Sequence, residues 1–226
     1  MSVRDRFEAH GARFLINEQE FERRSSKIKA VLFDWDGVFN DGFKDIDGGS
    51  PFSEVDSMGV NLLRFALWLK NGQQLPIAGI ITGQHNPFSE RFAQREKFHG
   101  VYMGFTNKPE AFGAFLKSHD LKDEEVLFFF DDVLDLPVAE RCGLRVLIGH
   151  RATHLFQHSV EQRKAADITI PIGGGHHGLR EACELLIALW NQWEPVIDHR
   201  MTYDDVYHRY LAARNGVEVA VVRKER

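Results

Sequence analysis

The stretch KIKAVLFDWDGVFNDG, residues 27–42, runs from an apolar segment straight into three acids, Asp34, Asp36 and Asp41, set among glycines. A short apolar run bounded by turn residues has the pattern of a strand buried on both faces, as in a parallel sheet. Acids at its carboxyl end are costly to bury unless another charge compensates them. In open α/β sheets that is also where ligands bind, beyond the carboxyl ends of the strands. The fold and the search for function therefore start from the same residues.

Outward from this stretch, apolar strands at 28–34, 77–82, 125–130 and 144–148 alternate with segments of helical periodicity. Helices are expected at 59–72, ending at Asn71-Gly72, at 87–98 with Pro87 in its first turn, at 108–120, and over a shorter span at 133–143. DITIPI (167–172) reads as an edge strand, followed by a GGG turn and the amphipathic helix 178–193. The order predicts an α/β fold, doubly wound and Rossmann-like, with a mainly parallel sheet whose crossovers are right-handed. Three parts are expected: an N-terminal arm at 1–27, solvated or a short helix, the α/β domain at 28–194, and a C-terminal extension at 195–226. The extension holds a helix starting near Thr202 and a β-like VEVAVV.

Composition narrows the function. The 28 basic and 33 acidic residues give a net charge of -5, so no overall positive field favours nucleic acid or an anionic membrane. The start of the chain lacks a hydrophobic signal region, and no apolar run approaches the ~18 residues of a span. A cytoplasmic protein is expected. Cys142 and Cys183 lie among apolar residues without zinc or redox spacing and are expected to be buried thiols.

Four strand ends carry complementary polar groups. Asp34 and Asp36 follow the first strand, Thr82 the second, Lys108 opens the third helix, and Asp131-Asp132 follow the next strand. These residue types suit phosphoryl transfer, in which a carboxylate attacks phosphorus and cations neutralise the phosphoryl oxygens. Magnesium takes carboxylates, phosphate and water as ligands, and Asp34 and Asp131 could supply the first. Asp34 then serves as nucleophile and Asp36 as the acid that protonates the leaving alkoxide, later the base that activates water. Thr82 and Lys108 fit as phosphate clamps. Asp41 is expected to order its loop.

DWDGVFNDG, IITGQ, NKPEAF and FFDDVLDLP resemble the four motifs of the haloacid dehalogenase superfamily of phosphatases, over about residues 28–191. With GGGHHGLREACELL, the pattern is similar to the branch containing 3-deoxy-D-manno-octulosonate 8-phosphate phosphatase and relatives acting on nonulosonate 9-phosphates. The resemblance implies a magnesium-dependent phosphomonoesterase acting on a phosphorylated sugar acid, the ester class of lipopolysaccharide biosynthesis. It implies Asp34 as nucleophile, Asp36 as acid/base and backbone-carbonyl metal ligand, Asp131 as the third ligand, and Thr82 and Lys108 on phosphate. Neither the span from Asp36 to Gly59 nor that from Thr82 to Lys108 can hold a cap domain, and capless relatives assemble as homotetramers that close the site with neighbouring subunits.

The chain departs from that branch in places. Val55-Asp56-Ser57 stands where relatives have Arg-Asp-Gly, Gln84 where they have Arg or Glu, and FKDIDGGSPF (43–52) is shorter than their β-hairpin. Phe130 replaces a glycine, with a pocket wall and displacement of Asp131 as the two placements open to it. Asp56, Gln84, His177 and Arg180 are candidates for substrate contact, His176 and His177 also reading as exposed loop residues. Asp132 and Asp135 are candidates either for water-mediated metal partners or for turn and helix caps. His150, His154 and His158 share helical spacing without an acid or thiol to complete a metal site. Phe128–Phe130, Trp68, Trp190 and Trp193 read as core or interface. Two rivals remain: the same chemistry on another small phosphate ester, or a degenerate phosphatase domain serving assembly or regulation. An aspartyl-phosphate receiver would leave Asp36 without an obvious role.

Overall fold

The strand that ends in the acids, β2 (Ala30–Phe33), lies inside the sheet, paired in parallel with β3 (Ile77–Thr82) on one side and β5 (Val126–Phe130) on the other. The computed structural model describes residues 1–44 and 49–225. Among these, eight strands form one sheet in the order β1-β7-β6-β5-β2-β3-β4-β8. The others are β1 (Arg13–Phe14), β4 (Gly100–Met103), β6 (Leu144–Ile148), β7 (Ile168–Ile170) and β8 (Ala220–Arg223). All neighbouring pairs are parallel except β1 with β7.

Alternation along the strands divides the interior into two layers. Val31 and Phe33 of β2 join Leu127 and Phe129 of β5 in one core, where the rings of Phe33 and Phe129 stack at 4.9 Å. Ala30, Leu32, Val126, Phe128 and Phe130 face the other core. The first layer is covered by α3 (Glu54–Lys70), α4 (Pro87–Glu96) and α8 (Gly178–Leu189), the second by α5 (Lys108–His119), α6 (Leu136–Ala139) and α7 (His154–Arg163). Local chemistry sets several helix starts. Ser53 accepts from the backbone N–H of Asp56 to cap α3, which begins five residues earlier than its apolar pattern, and Asn86 accepts from Phe88 ahead of Pro87. The expected helix at 133–143 is a 3₁₀ turn at Val133–Asp135 followed by the single turn of α6.

Both ends of the chain depart from expectation. Residues 1–27 are not a solvated arm: α1 (Val3–Ala9), β1 and α2 (Glu18–Ser25) pack on the first layer through Ala12 and Phe21. The buried Asp167 adds a polar tie to α2, its carboxylate taking Arg145 at 2.6 Å and Arg24 at 3.1 Å. DITIPI is consequently not an edge strand, since Arg13 and Phe14 pair with Thr169 and Ile168 and Leu15 donates to the Asp167 carbonyl. After α8 come α9 (Trp193–Thr202) and α10 (Asp205–Asn215), of which only a helix near Thr202 is legible in the sequence pattern. Tyr207 and Tyr210 of α10 are buried against Phe65 and Trp68, and β8 then extends the sheet beside β4.

The aromatic residues read as core are core. Phe128, Phe129 and Phe130 are fully buried, Trp68 and Trp190 nearly so, and Trp193 packs partly buried on the first layer. Cys142 and Cys183 are free buried thiols. Of the shortened 43–52 segment, residues 45–48 lie outside the described residues. No helix among the described residues is long and apolar enough to cross a membrane.

Candidate active site at the strand ends

β2 hands the chain directly to the site. Asp34 still donates its backbone N–H to the Phe129 carbonyl at 3.0 Å, and extended alternation sends Trp35 into the core, where it stacks on Phe39. Asp34 therefore stands on the opposite side from Trp35, and Asp36 lies in the turn that follows. Asp34 is buried and Asp36 half-buried.

Lys108, the first residue of α5, is buried between two acids: its Nζ lies 2.6 Å from Asp34 Oδ1 and 2.5 Å from Asp135 Oδ1. Burial alone would lower the lysine's affinity for its proton, but the charges of Asp34 and Asp135 outweigh it and push the pKa up. Asp131 completes the group, since carboxylate oxygens of Asp34, Asp131 and Asp135 lie within 4.8 Å of one another. Burial, then the charges of Asp34 and Asp135, push Asp131 far above the usual carboxylate range, with Lys108 offsetting only part. Asp135 is raised as well, by burial and then by Asp34.

Three acids thus face one lysine, and Asp131 Oδ1 is buried without a hydrogen-bond partner. A buried polar oxygen left unpaired is costly, and hard carboxylate oxygens at this spacing fit a divalent cation. The donor set accommodates a metal ion. Gly37 makes the arrangement possible: its φ is +90°, and a Cβ there would lie 1.9 Å from Asp131 Oδ2.

The remaining candidates divide. Asp36 pairs with Lys44, Nζ to Oδ1 at 2.5 Å, and its carboxylate stands outside the three-acid cluster. Thr82 ends β3, its Oγ1 accepting from the Gln84 backbone N–H at 3.4 Å. Asp132 is exposed and accepts from Val133 N at 2.7 Å, a cap on the 3₁₀ turn, while Asp135 of the same turn is the buried partner of Lys108. Phe130 faces the second core, stacked on Phe128 at 5.8 Å, so it neither walls the site nor displaces Asp131. Asp41 accepts from Phe43 N and orders its turn.

The substrate candidates of the second group are engaged with one another. Asp56 is fully buried and accepts from Ser53 Oγ at 2.8 Å and from the Arg180 backbone N–H at 3.1 Å, with His177 Nδ1 at 3.1 Å. It joins the starts of α3 and α8. Arg180 pairs with Glu184, His177 is half-exposed, and His176 is exposed. His154 and His158 lie on α7 and His150 before it. Lys44 is the neighbour of Asp36 that sequence reasoning missed; a lone lysine in a polar loop carries no pattern to find it by.

Parallel sheet, polar strand ends and acidic cluster together point to a class: the chain has the fold of the capless phosphatases of the haloacid dehalogenase superfamily and resembles them in sequence. Within it the resemblance is to 3-deoxy-D-manno-octulosonate 8-phosphate phosphatase. The Escherichia coli K12 protein of that name, KdsC, is 29% identical over 167 residues, 73% of this chain and 81% of that one. The crystal structure of the Yersinia pestis phosphatase of the same name aligns with a TM-score of 0.62 at 25% identity, covering 77% of this chain and 89% of that one. A Legionella pneumophila structure described as a subfamily III A hydrolase aligns at 0.64 and 26%, covering 81% and 95%. No protein-family model matches the chain.

Proposed function

We propose that the protein is a magnesium-dependent phosphomonoesterase working through an aspartyl-phosphate on Asp34. The observation that carries this is the buried lysine bridge, which fixes one oxygen of Asp34 on Lys108 and gathers two further acids around it. Asp34 and Asp131 would hold the magnesium ion, with the Asp36 backbone carbonyl, and the ion would neutralise phosphoryl charge. The Asp34 carboxylate attacks phosphorus, an Asp34 O–P bond forms, and the ester P–O bond breaks. Asp36 gives its proton to the departing alkoxide and afterwards takes one from the water that cleaves the aspartyl-phosphate, releasing orthophosphate. Lys44 must part from Asp36 for the first of these transfers, which makes the Lys44 loop part of the reaction geometry. Thr82 and Lys108 donate to the phosphoryl oxygens.

The substrate is a phosphorylated sugar acid, 3-deoxy-D-manno-octulosonate 8-phosphate or a nonulosonate 9-phosphate, a reading supported by the KdsC likeness. The setting is a cytoplasmic homotetramer of lipopolysaccharide biosynthesis, as in the branch it resembles. One observation favours a different small ester: Val55 is exposed and Asp56 is fully engaged within the fold, where relatives carry Arg-Asp-Gly. Magnesium-dependent phosphate release from a panel of these esters and common sugar phosphates tests both readings, alongside Asp34→Asn. Turnover of one ester, abolished by the substitution, supports the mechanism and names the substrate. Failure of every ester with magnesium bound overturns it in favour of a degenerate domain.

A further inference from the structure

The C-terminal strand reaches the mouth of the site. β8 runs parallel to β4 with Met103 opposite Arg223, so its carboxyl end emerges on the same edge as the ends of β2, β3 and β5. Lys224 donates its backbone N–H to the Met103 carbonyl at 3.0 Å, one residue beyond the strand. Its own carbonyl accepts from His85 Nε2 at 3.2 Å, its Nζ pairs with Glu110, and the ammonium lies 5.7 Å from the Phe105 ring centroid. Gly104, at φ +81°, permits this closure, since a Cβ there would lie 2.7 Å from His85 Nε2 and 2.8 Å from the Lys224 carbonyl oxygen.

Both elements touched by Lys224 carry a candidate phosphate ligand. His85 is three residues beyond Thr82 in the loop whose Gln84 N–H donates to Thr82 Oγ1, and Phe105 donates its N–H to the Thr82 carbonyl at 3.3 Å. Glu110 is two residues beyond Lys108 in the first turn of α5. The exposed ion pair with Glu110 contributes little alone, because such pairs are screened by water. The constraint lies in the backbone: parallel pairing fixes Lys224, and its carbonyl fixes His85. From the other side, α10 anchors the segment through Arg214, which donates to Asn61 Oδ1 at 2.6 Å, and through buried Tyr210.

We propose that residues 217–225 form a clamp holding the Thr82 loop and the start of α5 in register for phosphate, with Lys224 and His85 as positioning residues. This rests on the phosphatase reading. It assigns the extension a role in phosphate affinity within the same chain, separate from the metal-binding acids at β2 and β5.

The test uses the full chain, a chain ending at Glu218, and His85→Ala, each titrated with orthophosphate in saturating magnesium and, separately, with magnesium alone. The clamp predicts orthophosphate binding weakened about fivefold or more in the truncation and about threefold in His85→Ala, within the usual span of coupling effects. Magnesium affinity should stay unchanged in both. General destabilisation would weaken both ligands or neither. Should the truncation fail to fold, His85→Ala still decides. Unchanged orthophosphate affinity in the folded variants overturns the clamp alone, whereas a full chain that neither binds orthophosphate nor releases it from any ester overturns the phosphatase reading.

Discussion

Phe130→Ala separates two accounts of the residue beside the acids. A ring at the metal site would, once removed, change cation affinity and leave stability nearly untouched. The structure demands the opposite. Phe130 is fully buried in the second core, its ring 5.8 Å from that of Phe128 and inclined by only 9°. Truncating a buried Phe to Ala costs about 3–5 kcal/mol, through lost transfer free energy and the cavity left behind. For a domain of this size each kcal/mol moves the melting point by roughly 2–4 °C, so a drop of about 10 °C is expected. Urea unfolding gives the free energy, and magnesium titration at a temperature where both proteins are folded gives the affinity. A loss below about 1 kcal/mol, which large-to-small changes at buried sites exceed, would refute the placement. So would a magnesium affinity altered by more than about threefold, or roughly 0.65 kcal/mol.

Gly37→Ala should lower phosphate-ester turnover about 100-fold, because the added methyl must displace Asp131 and misplacement of about 1 Å has that order of effect; activity within about threefold would show that Asp131 does not need its place. Magnesium binding should release protons and tighten as pH rises, since the folded metal-free protein holds Asp131 and Asp135 protonated well above the ordinary carboxylate pKa. The sign for stability follows. These raised carboxyls stabilise the metal-free fold below the unfolded value of 3.8 and lose that contribution as pH rises through the folded values, so the melting point gained on adding magnesium should grow with pH. Calorimetry in two buffers of different ionisation enthalpy measures the proton release, and none would sink the argument. His99 behaves oppositely: burial, then Arg64 and His119, hold it down to about 3, and its Nδ1 accepts from Ala78 N–H at 3.1 Å. Its contribution is present above the unfolded value of 6.5 and lost as pH falls toward 3, so the wild type should lose urea resistance on acidification faster than His99→Gln. Parallel curves would exclude that role.

The reach of the sequence can be argued residue by residue. The places of Asp34, Thr82, Lys108 and Asp131 at strand ends and a helix start were legible because apolar periodicity locates those points without tertiary information. Asp132 and Asp135 were not separable, because choosing between them depends on the phase of a three-residue turn. That turn sends Asp135 inward to Lys108 and leaves Asp132 outside as its cap. Phe130 was ambiguous for a related reason: strand parity assigns it to a layer only once the limits of β5 are known. The N-terminal segment misled because its apolar residues are few and irregularly spaced. α2 docks through one buried ring, Phe21, and through Arg24 on the buried Asp167, and neither contact has a periodicity to read.

The same contrast bears on how the site is held. Asp34 and Asp131 directly follow the inner strands β2 and β5, whose ends both neighbouring strands and both core layers fix, and a single lysine delivered from α5 bridges Asp34 to Asp135 in the turn beyond β5. Thr82 and the start of α5 lie toward the β4 edge, where two-sided support would end if the sheet stopped at β4. Pairing Ala220–Arg223 along that edge moves the boundary one strand outward and makes β4 an interior strand. At the other end Arg13 and Phe14 do the same for β7. Segments that look dispensable in the sequence therefore close both margins of the sheet, and the one that closes the β4 margin ends at the loop beside the candidate phosphate ligands.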